Sequence, residues 1–334
     1  MNVSQNSKIL ISIIIPTYNI ENYLSECLTS ILSQSFTNFE VIIIDDCSSD
    51  STKCLIEYFM KKDYRIRLFE NEHNVGPGIS RNRGIEYARG KYVMFVDGDD
   101  WLDVDCLDKL FKCAEEYHTD MVMFKGLNFD DSSNRFYKND YFSIPCLDRL
   151  NNSLFSFDDI HEDELFEIFV GPVNKLYLRS SIVDCGARFS ECLTHEDNPF
   201  FYRAFCAADK IFLLDDYFYN RRVRSGSITN LRGDVELDTI LVVEDILKVF
   251  IDNGLYNHFK EFLLNRLLFK LRNRYRLVGD DYKEEYFLRA KAKLDKFFSV
   301  YTLFDDFVKC LWSENRLFFD RLVFSESFEE FLYF

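Results

Sequence analysis

The stretch Phe95-Val96-Asp97-Gly98-Asp99-Asp100-Trp101 places three carboxylates within four residues, directly after the apolar run at 92–96. Such a run is typical of a buried strand, so the acids lie where that strand leaves its sheet. Open α/β sheets bind ligands at this edge. Three neighbouring carboxylates repel one another, and a hard divalent cation with oxygen ligands would relieve that repulsion. The alternative is a solvated acidic turn that caps the next helix, because acid-Gly-acid turns are common.

The composition excludes several classes of protein. The chain has 334 residues, with 40 Lys and Arg against 56 Asp and Glu, and the net charge of −16 argues against a nucleic-acid-binding protein. Its ten cysteines form no Cys-x-x-Cys pair and no zinc-like group, which predicts a reducing, cytoplasmic compartment. The apolar run at 9–15 ends at Pro16, and no run reaches the roughly 18 residues of a membrane span. We therefore expect a soluble or peripheral protein.

Alternating strand and helix patterns in the first third of the chain predict an α/β fold with a mostly parallel sheet flanked by helices. Predicted strands cover residues 10–15, 40–44, 66–69, 91–96 and 121–124, and predicted helices cover 21–33, 51–61, 79–88 and 105–117. The pattern weakens between about 128 and 164, where Asp, Ser and Asn cluster. From about 235 onward the chain has a helical pattern and contains no proline. The predicted boundary separates an α/β region, 1–230, from a helical region, 231–334.

Two further loops follow predicted strands and offer groups suited to a nucleotide. Pro16-Thr17-Tyr18-Asn19 presents a ring on which a base could stack, although an ordinary strand-to-helix turn explains the same residues. Asp45-Asp46-Cys47-Ser48-Ser49-Asp50 supplies a carboxylate that can accept the N3–H of uracil, a donor that cytosine lacks. Helix capping by Asp and Ser is the alternative. A receiver-type signalling domain would also place two acids here, but it would need a Lys on a later strand end, and this chain has a second acidic cluster instead.

The segment 74–84 combines a Gly-rich loop with a helix start that carries two arginines, Arg81 and Arg83. Helix N-termini and guanidinium groups both favour phosphate oxygens. The glycines do not form Gly-x-Gly-x-x-Gly, so the dinucleotide-binding fingerprint is absent. An exposed pair of arginines on a helix is the alternative.

Taken together and in this order, four strings resemble family-2 glycosyltransferases, which have the GT-A fold. They are Ile13-Ile14-Ile15-Pro16-Thr17-Tyr18-Asn19, Ile44-Asp45-Asp46-Cys47-Ser48-Ser49-Asp50, Ser80-Arg81-Asn82-Arg83-Gly84 and Phe95-Val96-Asp97-Gly98-Asp99-Asp100-Trp101. The resemblance is strong over 9–125 and looser to about 229. It implies a GT-A, Rossmann-like domain with a nucleotide-sugar half at 1–125 and an acceptor half at 126–230. Cys47 departs from the family, which usually has Gly there, and it puts a Cβ into a tight turn.

The resemblance also implies roles on the donor side. Asp97 would lie near the ribose, and Arg81 would approach the diphosphate. Asp99, with Asp97 beside it, would bind Mn²⁺ or Mg²⁺, since both ions accept carboxylate, phosphate and water oxygens together. Asp100 would point away from this site and be available to cap the next helix. Thr17, Tyr18 and Asp46 would hold the uridine base, and the full set of nucleotide-sugar-binding residues that we predict is Pro16, Thr17, Tyr18, Asn19, Asp46, Arg81, Asp97 and Arg224.

The acceptor side is predicted from Thr194-His195-Glu196-Asp197-Asn198-Pro199-Phe200-Phe201, which resembles the Glu-Asp motif that opens a helix beside the acceptor in the family. Asp197 would be the general base that takes the proton of the acceptor hydroxyl. Glu196 would orient acceptor hydroxyls, and we also predict acceptor contacts for Lys175 and Trp101. The alternative for the motif is helix capping by Thr194 with Asp197 at the third position.

The rest of the chain carries weaker signals. Residues 219–228 resemble the family's closing segment, which implies that Arg224 or Ser227 lies near phosphate. A basic stripe on a later predicted helix suits anionic phospholipid headgroups, where a lipid-linked acceptor would reside, although an ordinary charged helix face is the alternative. The stripe consists of Arg266, Lys270, Arg272, Arg274 and Arg276. The Phe-rich tail suits a helical core, a dimer contact or a membrane-facing surface.

These observations predict a metal-dependent, inverting glycosyltransferase of bacterial surface-glycan synthesis, such as that of lipopolysaccharide or capsule. It would move a hexose or N-acetylhexosamine from a UDP-sugar to a hydroxyl of a glycan or lipid-linked glycan. We expect a cytoplasmic protein, with peripheral contact to the cytoplasmic face of the inner membrane as a further option, and the oligomeric state is left open. A nucleotidyltransferase is one alternative, although the first loop lacks the Gly-rich, basic character of that class. A non-catalytic scaffold of the same fold is the other, and it would show no metal-dependent UDP release.

Overall fold

A computed structural model describes residues 8–224, 233–301 and 304–333 of the chain. The protein divides into two compact units. Unit 1 contains Met1–Glu191 and Glu196–Ser225, and unit 2 contains Cys192–His195 and Gly226–Phe334. The chain therefore passes from unit 1 into unit 2 for four residues, returns to unit 1, and then passes into unit 2 again for its C-terminal part.

Unit 1 is built on one ten-stranded sheet. Its strands are β1 (Ile11–Thr17), β2 (Phe39–Asp45), β3 (Ile66–Glu70), β4 (Tyr92–Phe95), β5 (Trp101–Leu102), β6 (Met121–Asp130), β7 (Arg135–Tyr137), β8 (Ser153–Phe155), β9 (Lys175–Leu178) and β10 (Ile211–Val223). Eight of them follow the order β3-β2-β1-β4-β9-β6-β10-β5, while β7 pairs with β6 and β8 pairs with β10.

Helices cover both faces of this sheet. They are α1 (Leu24–Leu32), α2 (Thr52–Met60), α3 (Pro77–Tyr87), α4 (Cys106–Tyr117), α5 (Asp140–Ser143), α6 (Glu162–Leu165), α7 (Arg179–Asp184) and α8 (Asp197–Cys206). The apolar face of α1 belongs to the same buried cluster as Ile13 and Ile15 of β1. On the opposite face of the strand, α3 lies so close that a Cβ on Gly84 would be 2.3 Å from Cγ2 of Ile14.

The half of the sheet formed by β3, β2, β1 and β4 is parallel throughout. Every residue of β2 is buried, as expected for a strand with helices on both sides. The strands and helices predicted for residues 10–117 are confirmed to within a few residues at their ends.

The other half of the sheet is mixed. β9 runs antiparallel between β4 and β6, and the long strand β10 runs parallel to β6 but antiparallel to β5 and β8. The region at about 128–164 that we predicted as loops contains the short elements β7, α5, β8 and α6. The α/β class is confirmed, with a fully parallel arrangement in the first half of the sheet only.

Unit 2 is helical, as predicted for the C-terminal region. Its helices are α9 (Asp238–Asp252), α10 (Tyr256–Leu277), α11 (Lys283–Tyr301), α12 (Phe304–Cys310), α13 (Ser313–Phe324) and α14 (Phe328–Tyr333). Leucines of α10 such as Leu264 and Leu268 are buried, and the Tyr286 hydroxyl of α11 donates a hydrogen bond of 2.9 Å to the carbonyl of Leu271. Many of the phenylalanines of the tail, including Phe307 and Phe319, are buried in this unit.

Candidate active site

The acid cluster, which we define as Asp97, Asp99 and Asp100, follows β4 at the carboxyl edge of the parallel half of the sheet. Gly98 lets this turn pack tightly, because a Cβ there would lie 2.3 Å from Cδ1 of Ile20. The three carboxylates have different partners, so that the sequence triplet separates into one structural acid and two acids that face arginines.

Asp100 is the structural acid. Its two carboxylate oxygens accept hydrogen bonds from the Tyr219 hydroxyl and from the backbone N–H of Arg222, each at 2.7 Å. Burial, followed by the charges of Asp99 and Asp97, raises its pKa well above the ordinary value. The expected capping role is wrong, because β10 engages this side chain and α4 begins after Asp105 without a side-chain cap.

Asp97 and Asp99 each face one arginine. Oδ1 of Asp97 lies 2.7 Å from Nη2 of Arg81, and Oδ2 of Asp99 lies 2.9 Å from both Nε and Nη2 of Arg224. Burial and the charge of Asp97 raise the pKa of Asp99, while Arg224 opposes the rise. Within the described residues, no three His, Cys, Asp or Glu side chains group into a metal-binding cluster. A divalent cation at Asp97 and Asp99 would need further oxygen ligands, such as those of a diphosphate, and the metal site stays a prediction.

Arg81 joins the acid cluster to the start of α8. Its Nη1 donates to Oε1 of Glu196 at 2.6 Å, across 115 positions of sequence, while Nη2 holds Asp97. Burial alone would lower the pKa of the guanidinium, but Asp97 and Glu196 raise it above the ordinary value. Burial raises the pKa of Glu196 to about 7, with Arg81 opposing the rise. The predicted contact of Arg81 with a diphosphate stays a prediction.

The loops after β1 and β2 are tied together by residues that we predicted to hold a base. The Thr17 hydroxyl donates to Oδ1 of Asp45 at 3.0 Å, and the two residues are paired in the strand register. Oδ1 of Asn19 accepts a backbone N–H of the second loop at 2.8 Å. Pro16 is half-buried within β1, and the ring of Tyr18 is 45% exposed. A solvent-facing ring beside a rigid rim is what a stacked base would require.

Asp46 anchors the Gly-rich loop that opens α3. Its carboxylate accepts the side-chain amide of Asn71 at 2.6 Å and the backbone N–H groups of Val75 and Gly76 at 2.9 and 2.8 Å. Contact with uracil stays a prediction, and it has to coexist with these three donors. The neighbouring Cys47 has φ of +63°, so the residue that departs from the family pattern does occupy a left-handed turn position.

Asp197 is the first residue of α8, and Glu196 occupies the N-cap position without a side-chain cap hydrogen bond. The capping box expected as the alternative does not form, because the Thr194 hydroxyl donates to the carbonyl of Val235 at 3.3 Å within unit 2. Oδ1 of Asp197 accepts the amide of its neighbour Asn198 at 2.8 Å. The positive end of the helix dipole favours a carboxylate at this position.

Lys175 does not face an acceptor. Its ammonium is fully buried and donates to the carbonyls of Phe169 and Gly171 at 2.8 and 2.7 Å and to Oδ1 of Asn174 at 2.7 Å. Burial lowers the pKa of Lys175 well below the ordinary value, and Asp197 opposes the change. All three of its hydrogens are used inside the protein, so the predicted acceptor contact is wrong and Lys175 instead holds the segment that leads into β9.

Trp101 begins β5 and is half-buried. Its ring packs edge-on against Phe129 and Phe136, with centroids 5.3 and 6.1 Å apart. The guanidinium of Arg222 lies 4.8 Å from the centroid of Trp101 on the ring face. The predicted acceptor contact of Trp101 stays a prediction.

Arg222 is the residue that sequence analysis missed. Its Nε donates to the carbonyl of Asp99 at 3.1 Å, and its terminal nitrogens donate to Glu26 and to Asp131, the latter at 2.5 Å. No local signal separates it from Arg224, since its partners lie about a hundred or more residues earlier in the chain. Ser227 and the rest of the predicted closing segment after Arg224 lie outside the described residues.

The sequence of the chain matches a known protein family. Residues 12–186, just over half of the chain, match the family described as glycosyl transferase family 2. The chain belongs to this family. Family membership agrees with the resemblance of the four strings and excludes a receiver domain.

Glycosyltransferases of Streptococcus pneumoniae and Staphylococcus aureus are similar to this family-2 chain. GlyG of Streptococcus pneumoniae serotype 4 is 30% identical over 252 residues, which cover 72% of this chain and 78% of GlyG. GlyA of the same organism is 30% identical over 226 residues, which cover 66% of this chain and 32% of GlyA. The poly(ribitol-phosphate) β-N-acetylglucosaminyltransferase TarS of Staphylococcus aureus is 32% identical over 216 residues, 62% of this chain and 35% of TarS. The chain thus spans about a third of the length of GlyA and TarS.

The fold of this family-2 chain is also that of TarS. A crystal structure of residues 1–349 of TarS in complex with UDP-GlcNAc superposes with a TM-score of 0.57 over 92% of this chain and 77% of that chain, at 23% identity. The GT-A fold that the resemblance implied is therefore confirmed.

The basic stripe on α10 is partly neutralised inside unit 2. Arg272 pairs with Glu314 at 3.1 Å, and Arg274 pairs with Glu236 at 3.2 Å. Burial lowers the pKa of Arg266. Among the described residues, no helix of this family-2 protein is both long and apolar enough to cross a membrane.

Proposed function

We propose that this chain is a metal-dependent, inverting glycosyltransferase. It transfers a hexose or N-acetylhexosamine from a UDP-sugar to a hydroxyl of a bacterial surface glycan. Membership of glycosyl transferase family 2 supports the reaction class. The crystal structure of TarS in complex with UDP-GlcNAc, at 23% identity to this chain, supports a UDP-sugar donor.

The observation that carries the proposal is the Arg81 bridge. One guanidinium binds Asp97 at the end of β4 and Glu196 at the start of α8, at 2.7 and 2.6 Å. Asp197 follows directly and opens the helix. A nucleotide-sugar needs phosphate-neutralising groups on one side of its anomeric carbon and a base on the other, and the two elements joined by Arg81 would supply both.

On the donor side, the exposed ring of Tyr18 would stack on the base, with Pro16, Thr17 and Asn19 as the rim and Asp46 as the partner of uracil. Asp99 and Asp97 would hold Mn²⁺ or Mg²⁺ together with the diphosphate oxygens. When bound, the cation would stabilise the negative charge that develops on the departing UDP. Arg81 and Arg224 face those carboxylates and would contribute positive charge to the same diphosphate.

On the acceptor side, Asp197 would take the proton of the attacking hydroxyl. The new bond from that oxygen to the anomeric carbon would form as the bond to the diphosphate breaks, and UDP would leave. A single displacement converts an α-linked donor into a β-linked product. Glu196 and Trp101 would orient the acceptor.

The acceptor that we propose is a glycan or lipid-linked glycan of the cell surface, as in lipopolysaccharide, capsule or a similar polymer. The similarity to TarS, a poly(ribitol-phosphate) β-N-acetylglucosaminyltransferase, supports this class. We further propose that the protein works in the cytoplasm and meets a lipid-linked acceptor at the inner membrane.

The test is a screen of UDP-glucose, UDP-galactose and their N-acetylated forms for Mn²⁺-dependent UDP release by the full chain. We expect at least one donor to turn over, and Asp99→Asn to abolish the metal dependence. If no UDP-sugar binds or turns over, the donor assignment fails. If UDP release persists undiminished in Asp99→Asn, the metal assignment fails while the reaction class stands.

A further inference from the structure

One face of α3 holds the segment that leads into α8. The side-chain amide of Asn82 donates to the carbonyl of Phe189 at 2.9 Å and accepts the N–H of the same residue at 3.0 Å. A Cβ on Gly78 would lie 2.9 Å from Cγ of Glu196, so the helix and this segment are in close contact. The charged contact of the same face is the bond from Arg81 to Glu196. Arg81, which sequence analysis assigned to phosphate, therefore also contacts the segment that carries the proposed acceptor residues.

Arg81 is shared between two carboxylates in a buried position. Its side chain is 6% exposed, one terminal nitrogen binds Asp97, and the other binds Glu196. The guanidinium carbon lies 5.4 Å from the ring centroid of Phe189, on the ring face. Its Nε is buried and has no hydrogen-bond partner in the part of the chain that the structure describes. A single positive charge thus faces two negative charges and keeps one unused donor.

We propose that Arg81 couples the donor side to the acceptor side, because Glu196 and the bound nucleotide draw on the same guanidinium. The inference rests on the proposed function and deepens it by making Arg81 a positioning residue for Glu196 as well as a partner of the donor site. Asn82, which touches only backbone atoms of Phe189 in the hydrogen bonds of this face, holds the segment in place without taking part in the coupling.

The physical reason is the sharing of charge at short range. Charge-assisted hydrogen bonds are about twice as strong as neutral ones, and they strengthen where water is excluded. When the charge of Glu196 is removed, the guanidinium of Arg81 interacts with the donor side only. A nucleoside diphosphate next to Asp97 then binds more tightly. By thermodynamic reciprocity, a bound nucleotide weakens the interaction between Arg81 and the charged form of Glu196 by the same factor.

The experiment is a double-mutant cycle on the affinity of UDP, measured by titration calorimetry with Mn²⁺ present and the full chain. The variants are Glu196→Gln, Arg81→Met and the double variant, with Asn82→Ala as the matched control. We expect Glu196→Gln to tighten UDP binding about fivefold to tenfold when Arg81 is present and less than twofold when Arg81 is replaced by Met. Asn82→Ala should leave UDP affinity within twofold of the wild type.

An equal effect of Glu196→Gln in both backgrounds would mean simple charge repulsion and would overturn the coupling, as would no effect in either. If Arg81→Met does not fold, Arg81→Lys keeps the charge without the two-pronged geometry, and the cycle should then show less than half of the coupling. A wild-type chain that binds no UDP at all would instead contradict the proposed donor, and the coupling would fall with it.

Discussion

The two units of the molecule use charge in different ways. In unit 1, the side chains of Arg81 and Arg222 are 6% and 7% exposed, and each joins elements that are far apart in the sequence. In unit 2, several ion pairs link residues three or four positions apart on one helix, and the side chains of Arg289 and Glu285 are 54% and 45% exposed. Buried shared charges are costly and are kept where they position groups, whereas exposed helical pairs contribute little. The buried, shared arginines of unit 1 agree with the site that we propose there.

The largest expected effect is on activity. Asp197→Asn removes the proposed base and should lower the rate of sugar transfer about 10²- to 10⁴-fold. The measurement is UDP release or product formation with a competent acceptor. Asp281→Asn, an exposed carboxylate of unit 2, is the control and should transfer sugar at the wild-type rate. Full activity of Asp197→Asn would show that the base lies elsewhere.

The next prediction compares the loss of stability when a buried arginine of unit 1 and an exposed arginine of unit 2 are each replaced by alanine. Arg222→Ala removes a side chain that holds the turn of the acid cluster and lies over Trp101, and it should lower the free energy of unfolding by about 3 kcal/mol. Arg289→Ala removes an exposed pair and should cost less than about 0.5 kcal/mol. Denaturant unfolding followed by circular dichroism measures both, and equal losses would contradict the contrast between the units.

The pH dependence of stability should reveal Glu196. Its pKa in the folded protein is about 7 against an ordinary value of 4.5, so the folded state holds a proton that the unfolded state releases between these values. The free energy of unfolding should therefore fall as pH rises from about 4.5 to about 7, by up to about 3 kcal/mol from this group.

Glu196→Gln isolates this contribution, because the other acids with raised pKa remain in place. The variant should show a flatter dependence of stability on pH over the same window. A wild-type slope that persists unchanged in Glu196→Gln would assign the effect to the acid cluster instead.

Packing at Gly78 offers a smaller effect. A Cβ there would lie 2.5 Å from the carbonyl oxygen of Ser190 and 2.9 Å from Cγ of Glu196, so Gly78→Ala should cost about 1–3 kcal/mol by overpacking. Gly279→Ala in unit 2 is the matched change, because its Cβ would meet its neighbours at an ordinary 3.6 Å. Thermal unfolding compares them, and no difference between the two would mean that α3 and the segment before α8 are free to separate.

The smallest effect concerns Cys47. A residue other than glycine in the left-handed backbone conformation destabilises the folded state by about 1–2 kcal/mol. Glycine removes this strain, but it loses more conformational entropy on folding, which offsets part of the gain. Cys47→Gly should therefore stabilise the protein by about 0.5 kcal/mol. Cys47→Ala keeps the Cβ and serves as the control, which should give no such gain in denaturant unfolding.

The sequence predicts best where one local pattern decides the structure. The apolar, β-branched run of β2 is buried along its whole length, and the helices next to it show a clear apolar face, so the parallel half of the sheet could be predicted. β9 could not, because four residues that begin with a lysine give no strand pattern until they pair with β4 and β6. Its position depends on partners more than fifty residues earlier in the chain.

The same limit applies to the site. That Asp97, Asp99 and Asp100 matter follows from their spacing, but which of them is structural depends on Tyr219 and Arg222, more than a hundred residues later. Lys175 could not be excluded as an acceptor contact from sequence, since only the carbonyls that surround it show that its charge is used internally. The charge and spacing of residues in the sequence identify candidate site residues. The role of each residue depends on its contacts with residues far away in the chain.

The four residues of the chain that enter unit 2 before α8 affect where the protein can be truncated. Residues Cys192–His195 belong to unit 2, where the backbone N–H groups of Leu193 and Thr194 bind Oδ2 of Asp238 at 2.9 and 3.3 Å. A truncation that keeps residues 1–225 removes these partners immediately before Glu196 and Asp197. Shortened versions made for crystallisation or engineering should therefore retain α9, so that Leu193 and Thr194 keep these hydrogen bonds.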